Sequence, residues 1–268
     1  MTDECIHGFP TELCDICSPR QRDPETLLKT PSPRRTRLTS SLRTVPGATS
    51  GRGAAAAEAA LPALRVFSTL RAHHATHVDN LASIVAEGAI LASDQTQPSV
   101  DVSAPAAREA RVAAVAPDGS SVAAHVPFSL SPDATWWDEL RGGAEDERWS
   151  DAARGVRATE YVMLVVPTSA FGASVILADD DAHADDVRFA VGPEAAANLL
   201  RRTDILDPAM RGVELLAGPR VPLTSVAVIG VPNDRVRLQV KAVLAEQGGD
   251  APRVAVFPPW FVPPLPEF

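Results

Sequence analysis

Apolar and polar positions along this chain change period several times, and each change predicts an element. Leu81, Ile84 and Val85 stand at i, i+3 and i+4, the spacing of one helix face, and Gly88 is placed to end that helix. Thr76 or Asp79 ahead of it can accept the free N–H groups of the first turn. A polar strand end, His74-Ala75-Thr76, is read as running into it, preceded by the segment Ala63–His73. The stretch 89–103 reads as a loop with an early apolar pair, Ile90-Leu91. Pro105 to Val112 reads as a short helix with proline in its first turn. Glu160–Pro167 predicts a strand, apolar enough to be buried; Val175–Ala178 predicts another. Further on come a strand over Val226–Val231, a helix over Val236–Glu246 and a strand over Arg253–Phe257.

No such period exists before Leu61. Residues 20–61 are rich in Pro, Ser, Thr, Gly, Ala and Arg, with too few apolar side chains to offset the entropy of ordering, and predict a flexible linker. With 45% hydrophobic residues over 268 positions, the remainder, 62–268, can bury a core of useful size. Charge follows the same division: −4 over residues 1–19, +6 over 20–52 and −11 beyond. An acidic domain argues against a broad duplex-binding face. No run of about 18 apolar residues and no signal-peptide core is present, so the expectation is a cytoplasmic protein without a membrane partner.

All three cysteines fall in residues 1–19 with one histidine, as Cys5-x-His7-x6-Cys14-x2-Cys17. Three thiolates and an imidazole suit tetrahedral zinc, and a segment this short needs the metal to hold it. A structural zinc knuckle at Cys5, His7, Cys14 and Cys17 is the expectation, with stray cysteines in a tail as the bland alternative. Four protein ligands leave no open position, so its role is docking rather than catalysis.

The stretch His74-Ala75-Thr76-His77-Val78-Asp79-Asn80-Leu81, followed by a Gly-terminated apolar helix, resembles the opening motif of DarT, a family of single-stranded-DNA ADP-ribosyltransferase toxins. Taken alone, His74 is more often a satisfied structural histidine; three further segments in order extend the resemblance over about residues 70–262. Pro105–Val112 is similar to the family segment that closes over NAD and ends in a basic dipeptide; its catalytic second member falls on Arg111, while the first falls on Ala110. Val126-Pro127-Phe128 matches a family strand, but the basic stretch after it is replaced by Asp133-Ala134-Thr135-Trp136-Trp137-Asp138. The two tryptophans are placed either to stack bases or to cap the core. An Asp-containing turn, 179–186, precedes Val187-Arg188-Phe189; it lacks the Gly and terminal Glu of a calcium loop. The family's catalytic acid falls on Glu214, ahead of an apolar run.

The resemblance implies an α+β ADP-ribosyltransferase core of two packed, largely antiparallel sheets with flanking helices. It implies NAD as substrate, single-stranded DNA as acceptor and a cognate antitoxin as partner. His74, Thr76 and Asn80 would line the NAD pocket. Glu214 would stabilise the oxocarbenium-like ribose, and Arg111 would assist at the acceptor or the phosphates. The alternatives are a decayed, non-enzymatic NAD-binding or partner-docking module and a transferase acting on RNA or protein; the altered stretch after Phe128 keeps both open.

Overall fold

The computed structural model describes residues 64–200, 208–245 and 251–263. The chain divides into Met1–Ala57 and Glu58–Phe268, and every described residue belongs to the second unit. The zinc-type ligands Cys5, His7, Cys14 and Cys17 and the linker lie outside the described residues.

After a helical turn at 64–69 the elements are β1 (Arg71–His77), α1 (Leu81–Glu87), β2 (Ala89–Leu91), α2 (Pro105–Ala113), β3 (Val126–Ser129), α3 (Thr135–Gly142), α4 (Asp151–Gly155) and β4 (Tyr161–Pro167). Then follow β5 (Ile176–Ala178), β6 (Phe189–Val191), α5 (Pro193–Leu200), β7 (Glu214–Ala217), β8 (Arg220–Pro222), β9 (Val228–Val231), α6 (Asp234–Ala245) and β10 (Arg253–Val256). Eight strands form one sheet in the order β10-β9-β4-β1-β3-β7-β5-β6, and β2 pairs with β8 in a separate ribbon. All pairs are antiparallel except β9 with β10, which are joined by the crossover helix α6, as a parallel pair requires.

The two packed sheets implied by the resemblance are therefore replaced by one eight-stranded sheet and a two-stranded ribbon. The large sheet is nonetheless nearly divided. β1 pairs with β4 at seven positions but with β3 only at His73–Ser129. The cause lies in β3: Pro127 has no N–H to offer a ladder, and its carbonyl accepts instead from the ring Nδ1 of His74 at 2.9 Å.

Side chains alternate across β4 and both faces are buried, which accounts for its continuous apolar run. Val162, Leu164 and Val166 pack with Phe128, Leu177, Leu215, Leu81, Val85, Val236 and Val240. Tyr161, Met163 and Val165 pack on the opposite side with Trp137, Trp149 and Phe261.

The α1 prediction holds in its apolar face and its stop. Gly88 adopts φ +63°, and its N–H bonds back to Ile84 and Val85. The start differs. A short 3-10 turn, Val78–Asn80, precedes α1, and it is His77 Nδ1 that accepts from the Asp79 N–H at 3.2 Å. Thr76 is still within β1, and its hydroxyl faces Asn80 instead. The segments 135–142 and 193–200 are helices that periodicity alone did not reveal, being too short to repeat a stripe.

Candidate active site

Glu214 opens β7, between Ser129 of β3 and Ala178 of β5. Both oxygens of its carboxylate are engaged. Arg111 Nη2 donates to Oε1 at 2.7 Å and Nη1 to Oε2 at 3.2 Å, while the Ala182 N–H donates to Oε2 at 2.8 Å. The two-point fork is the geometry for which a guanidinium is suited. Side-chain exposure is 13% for Glu214 and 20% for Arg111, so the pair is largely withdrawn from water. Burial by itself would weaken the protonation of Arg111. The Glu214 charge and hydrogen bonds, with Asp181 behind them, more than offset it and raise its pKa, so the guanidinium stays charged.

Arg111 sits on α2, a helix with no buried residue. What holds that helix is polar. Ser121 Oγ lies 3.1 and 2.9 Å from the carbonyls of Arg111 and Val112, and Arg108 Nη1 donates to Asp101 Oδ2 at 2.7 Å. The segment before the helix is stitched to 148–150: the Ala104 N–H bonds to Arg148 O at 2.8 Å and the Ser150 N–H to Val102 O at 2.9 Å.

The acidic turn after β5 approaches the pair. Asp181 Oδ1 accepts from Arg111 Nη1 at 3.3 Å and from the ring Nδ1 of His183. Its Oδ2 is 3.9 Å from Arg148 Nη1, and Arg148 Nε in turn donates to Glu139 Oε2 at 2.8 Å. Within the same turn Asp179 is paired with Arg188. Among the described residues there is no group of three or more His, Cys, Asp or Glu able to hold a metal.

The remaining sequence-predicted residues form a second group on β1. The His74 ring packs against Phe128, with centroids 5.5 Å apart. Burial, partly countered by the Pro127 carbonyl, lowers its pKa, so at neutral pH the ring is uncharged and donates through Nδ1. Thr76 Oγ1 accepts from Asn80 Nδ2 at 3.2 Å. Asn80 also clasps the backbone of Val100, donating to its carbonyl at 3.0 Å and accepting from its N–H at 2.9 Å. The amide of Asn80 is thus spent on holding the loop that leads to α2.

The fold therefore joins Arg111 to Glu214, and Thr76 to Asn80, and among the described residues no hydrogen bond links the two groups. Opposed residues in a ladder share a face. His73, Ser129 and Glu214 lie in one lateral row, and His74 and Thr76 face the other way, with Leu164 and Val162. β3, paired to β1 at one end only, stands between them.

Sequence reasoning missed Asp181, His183 and Arg148 as companions of the pair. Nothing in their spacing points to Glu214, 33 positions after Asp181; the turn shows only one histidine among five aspartates. The Ala182 N–H carries no sequence signal at all. The two tryptophans are settled in part. Trp137 is fully buried, with its indole N–H donating to Trp260 O at 2.7 Å, so it belongs to the core; Trp136 lies partly buried against the same cluster. The acidity that replaces the basic stretch is internally neutralised: Arg141 pairs with Asp133 and Asp138, and Arg211 pairs with Asp138.

Comparison with known proteins puts this chain among enzymes that transfer ADP-ribose. The family model described as "ssDNA thymidine ADP-ribosyltransferase, DarT" matches residues 73–262, and the chain belongs to that family. It is an NAD-dependent ADP-ribosyltransferase of the DarT kind. No curated protein matches the chain. The fold is similar to that of Thermus sp. 2.9 DarT in complex with ADP-ribosylated ssDNA, at TM-score 0.60 and 22% identity, covering 72% of this chain and 96% of that one. It is also similar to the same Thermus protein in complex with NAD+, at TM-score 0.56 and 21% identity, covering 72% of this chain and 98% of that one. Thermosipho africanus DarTG in complex with ADP-ribose matches at TM-score 0.55 and 16% identity, over 72% of this chain and 51% of that one. Among the described residues no helix is long and apolar enough to cross a membrane.

Proposed function

We propose that Glu214 and Arg111 carry the transfer of ADP-ribose from NAD to a base of single-stranded DNA, and that His74 and Thr76 line the NAD pocket. The observation that carries this reading is the two-point Arg111–Glu214 pair at the start of β7, shielded from water and bonded to the Ala182 N–H. In the reaction the bond from nicotinamide nitrogen to ribose C1′ breaks, and nicotinamide leaves neutral with the electron pair. Positive charge spreads over C1′ and the ring oxygen. The carboxylate of Glu214 stabilises that charge and accepts the proton the base loses as it bonds to C1′. Arg111 orients Glu214 in the free enzyme and faces the acceptor or the diphosphate in the complex. Asn80 supports the pocket from behind, through Thr76 and the Val100 backbone.

The same reading gives the chain a zinc knuckle at residues 1–19, a basic linker at 20–61 and the transferase domain at 62–268. The knuckle would dock a partner or DNA, and a cognate antitoxin is the protein partner that family membership suggests.

Glu214→Gln tests the mechanism. The amide keeps the shape of the carboxylate and removes its charge, which matters more in the transition state than in bound NAD. Turnover, read as label transferred from NAD to a thymidine-containing oligonucleotide, is expected to fall by roughly a hundredfold or more. NAD affinity, read by calorimetry, is expected to stay near that of the unaltered protein. Equal turnover would remove Glu214 from the chemistry. Label retained on RNA or protein but not on single-stranded DNA would move the acceptor to another class.

A further inference from the structure

The Arg111–Glu214 pair poses a chemical difficulty that Asp181 resolves. A carboxylate held at both oxygens by a guanidinium is neutralised as a unit, and so is poorly placed to stabilise a cationic ribose. Glu214 must be freed from part of the fork before it can act. Pulling a guanidinium that is 20% exposed off its partner leaves a charge with little water to receive it. The geometry lowers that cost. Arg111 Nη1 is already shared, 3.2 Å from Glu214 Oε2 and 3.3 Å from Asp181 Oδ1, so a small rotation of the guanidinium exchanges one carboxylate for the other. Asp181 is itself fixed by the His183 ring on one side and faces Arg148 on the other, and Arg148 is anchored on Glu139 of α3.

We propose that Asp181 is a positioning residue that takes over Arg111 when the Glu214 carboxylate turns to the substrate. It acts through Arg111 and touches neither NAD nor the base. The inference rests on the roles given above to Glu214 and Arg111.

The test is Asp181→Asn in the full-length protein, with label transfer from NAD to a thymidine-containing oligonucleotide as the readout. With Arg111 left on Glu214 alone, kcat is expected to fall on the order of ten- to a hundredfold, as for misplacement of a catalytic group. KM for NAD is expected to stay within about twofold, because ground-state binding is not what Asp181 serves. Asp181→Glu, which restores the charge, is expected to recover most of kcat. In an Arg111→Ala background, Asp181→Asn is expected to cost nothing further; a structural role would cost the same there as in the unaltered protein. Unchanged kcat in Asp181→Asn, or an equal fold-loss in the Arg111→Ala background, overturns the proposal. Glu214→Gln run alongside separates the two readings. If it is inactive while Asp181→Asn is fully active, only the role of Asp181 falls; if it is fully active, the assignment of Glu214 falls first.

Discussion

Two adjacent histidines on β1 show how much a single step along a strand decides, since successive side chains leave opposite faces. His74 spends its Nδ1 on the Pro127 carbonyl and so bridges the gap between β1 and β3. His73 is buried edge-on against Trp260, with ring centroids 5.8 Å apart, and its Nδ1 has no hydrogen-bond partner. Burial is the largest influence on His73. It outweighs the Ser129 backbone and Asp133, which favour the charged form, and lowers the pKa from 6.5 to about 4. The unfolded chain therefore binds a proton between those values that the folded chain refuses. The stability is fully present above pH 6.5 and is lost as pH falls towards about 4. The loss attributable to this residue is about 3 kcal/mol at the acid end. Urea midpoints from pH 7.5 to 4 should fall accordingly, and His73→Leu should flatten the decline; an equally steep decline in the variant would show that other groups cause it. His74 carries a shift of the same sign and will leave a residual slope.

At the scale of elements, the segment after β10 is held to the sheet by a chain of dependent contacts. Trp260 lies over Gly230 of β9, and its carbonyl accepts from Trp137 Nε1 at 2.7 Å and from Arg141 Nη1 at 3.1 Å. A Cβ at position 230 would meet Trp260 Cε3 at 2.7 Å and Cζ3 closer still. Glycine is required there for room, not for a special backbone angle. Gly230→Ala must push the indole away and loosen α3 with it. We expect a loss of about 1–3 kcal/mol in urea unfolding, as for an overpacked core. Near-UV circular dichroism should change at the same time, because Trp137 and Trp260 are both displaced. An unaffected midpoint would mean that the segment 258–261 yields without cost. The same contacts explain the tryptophans: Trp137 fills the core, so its hydrophobicity and not its capacity to stack on a base accounts for its place.

On the whole molecule, the contacts described for the Arg111–Glu214 pair are with residues of the second unit, which begins at Glu58. Deleting residues 1–60 is therefore expected to leave a folded domain with the melting temperature of the full chain. The full chain is expected to carry about one equivalent of zinc by elemental analysis, and the truncated chain none. A Cys14→Ser, Cys17→Ser variant that kept full zinc would rule out the proposed ligands, and a truncated chain that failed to fold would rule out the proposed division.

What the sequence determined by itself was local or motif-borne. The apolar face and glycine stop of α1, the buried strand β4 and the strand–helix–strand run of β9, α6 and β10 follow from short-range period, and the candidates Glu214 and Arg111 from the family resemblance of segments in fixed order. The elements depend on neighbours within a few residues, and the candidates on motifs that keep their order along the chain. What only the tertiary structure decided involves partners far apart along the chain. The single His73–Ser129 pair that nearly divides the sheet, the bond from His74 to Pro127, and the meeting of Asp181 with Arg111, 70 positions apart, have no period to announce them. The cap fell to His77, on the 3-10 turn before α1, and not to Thr76, because β1 continues to His77, and strand length is set by the β4 ladder beside it. The acidity of 133–138 was legible as composition, but its neutralisation by Arg141 and Arg211 was not. Charge is read one residue at a time in a sequence; its effect depends on which opposite charge the fold brings alongside.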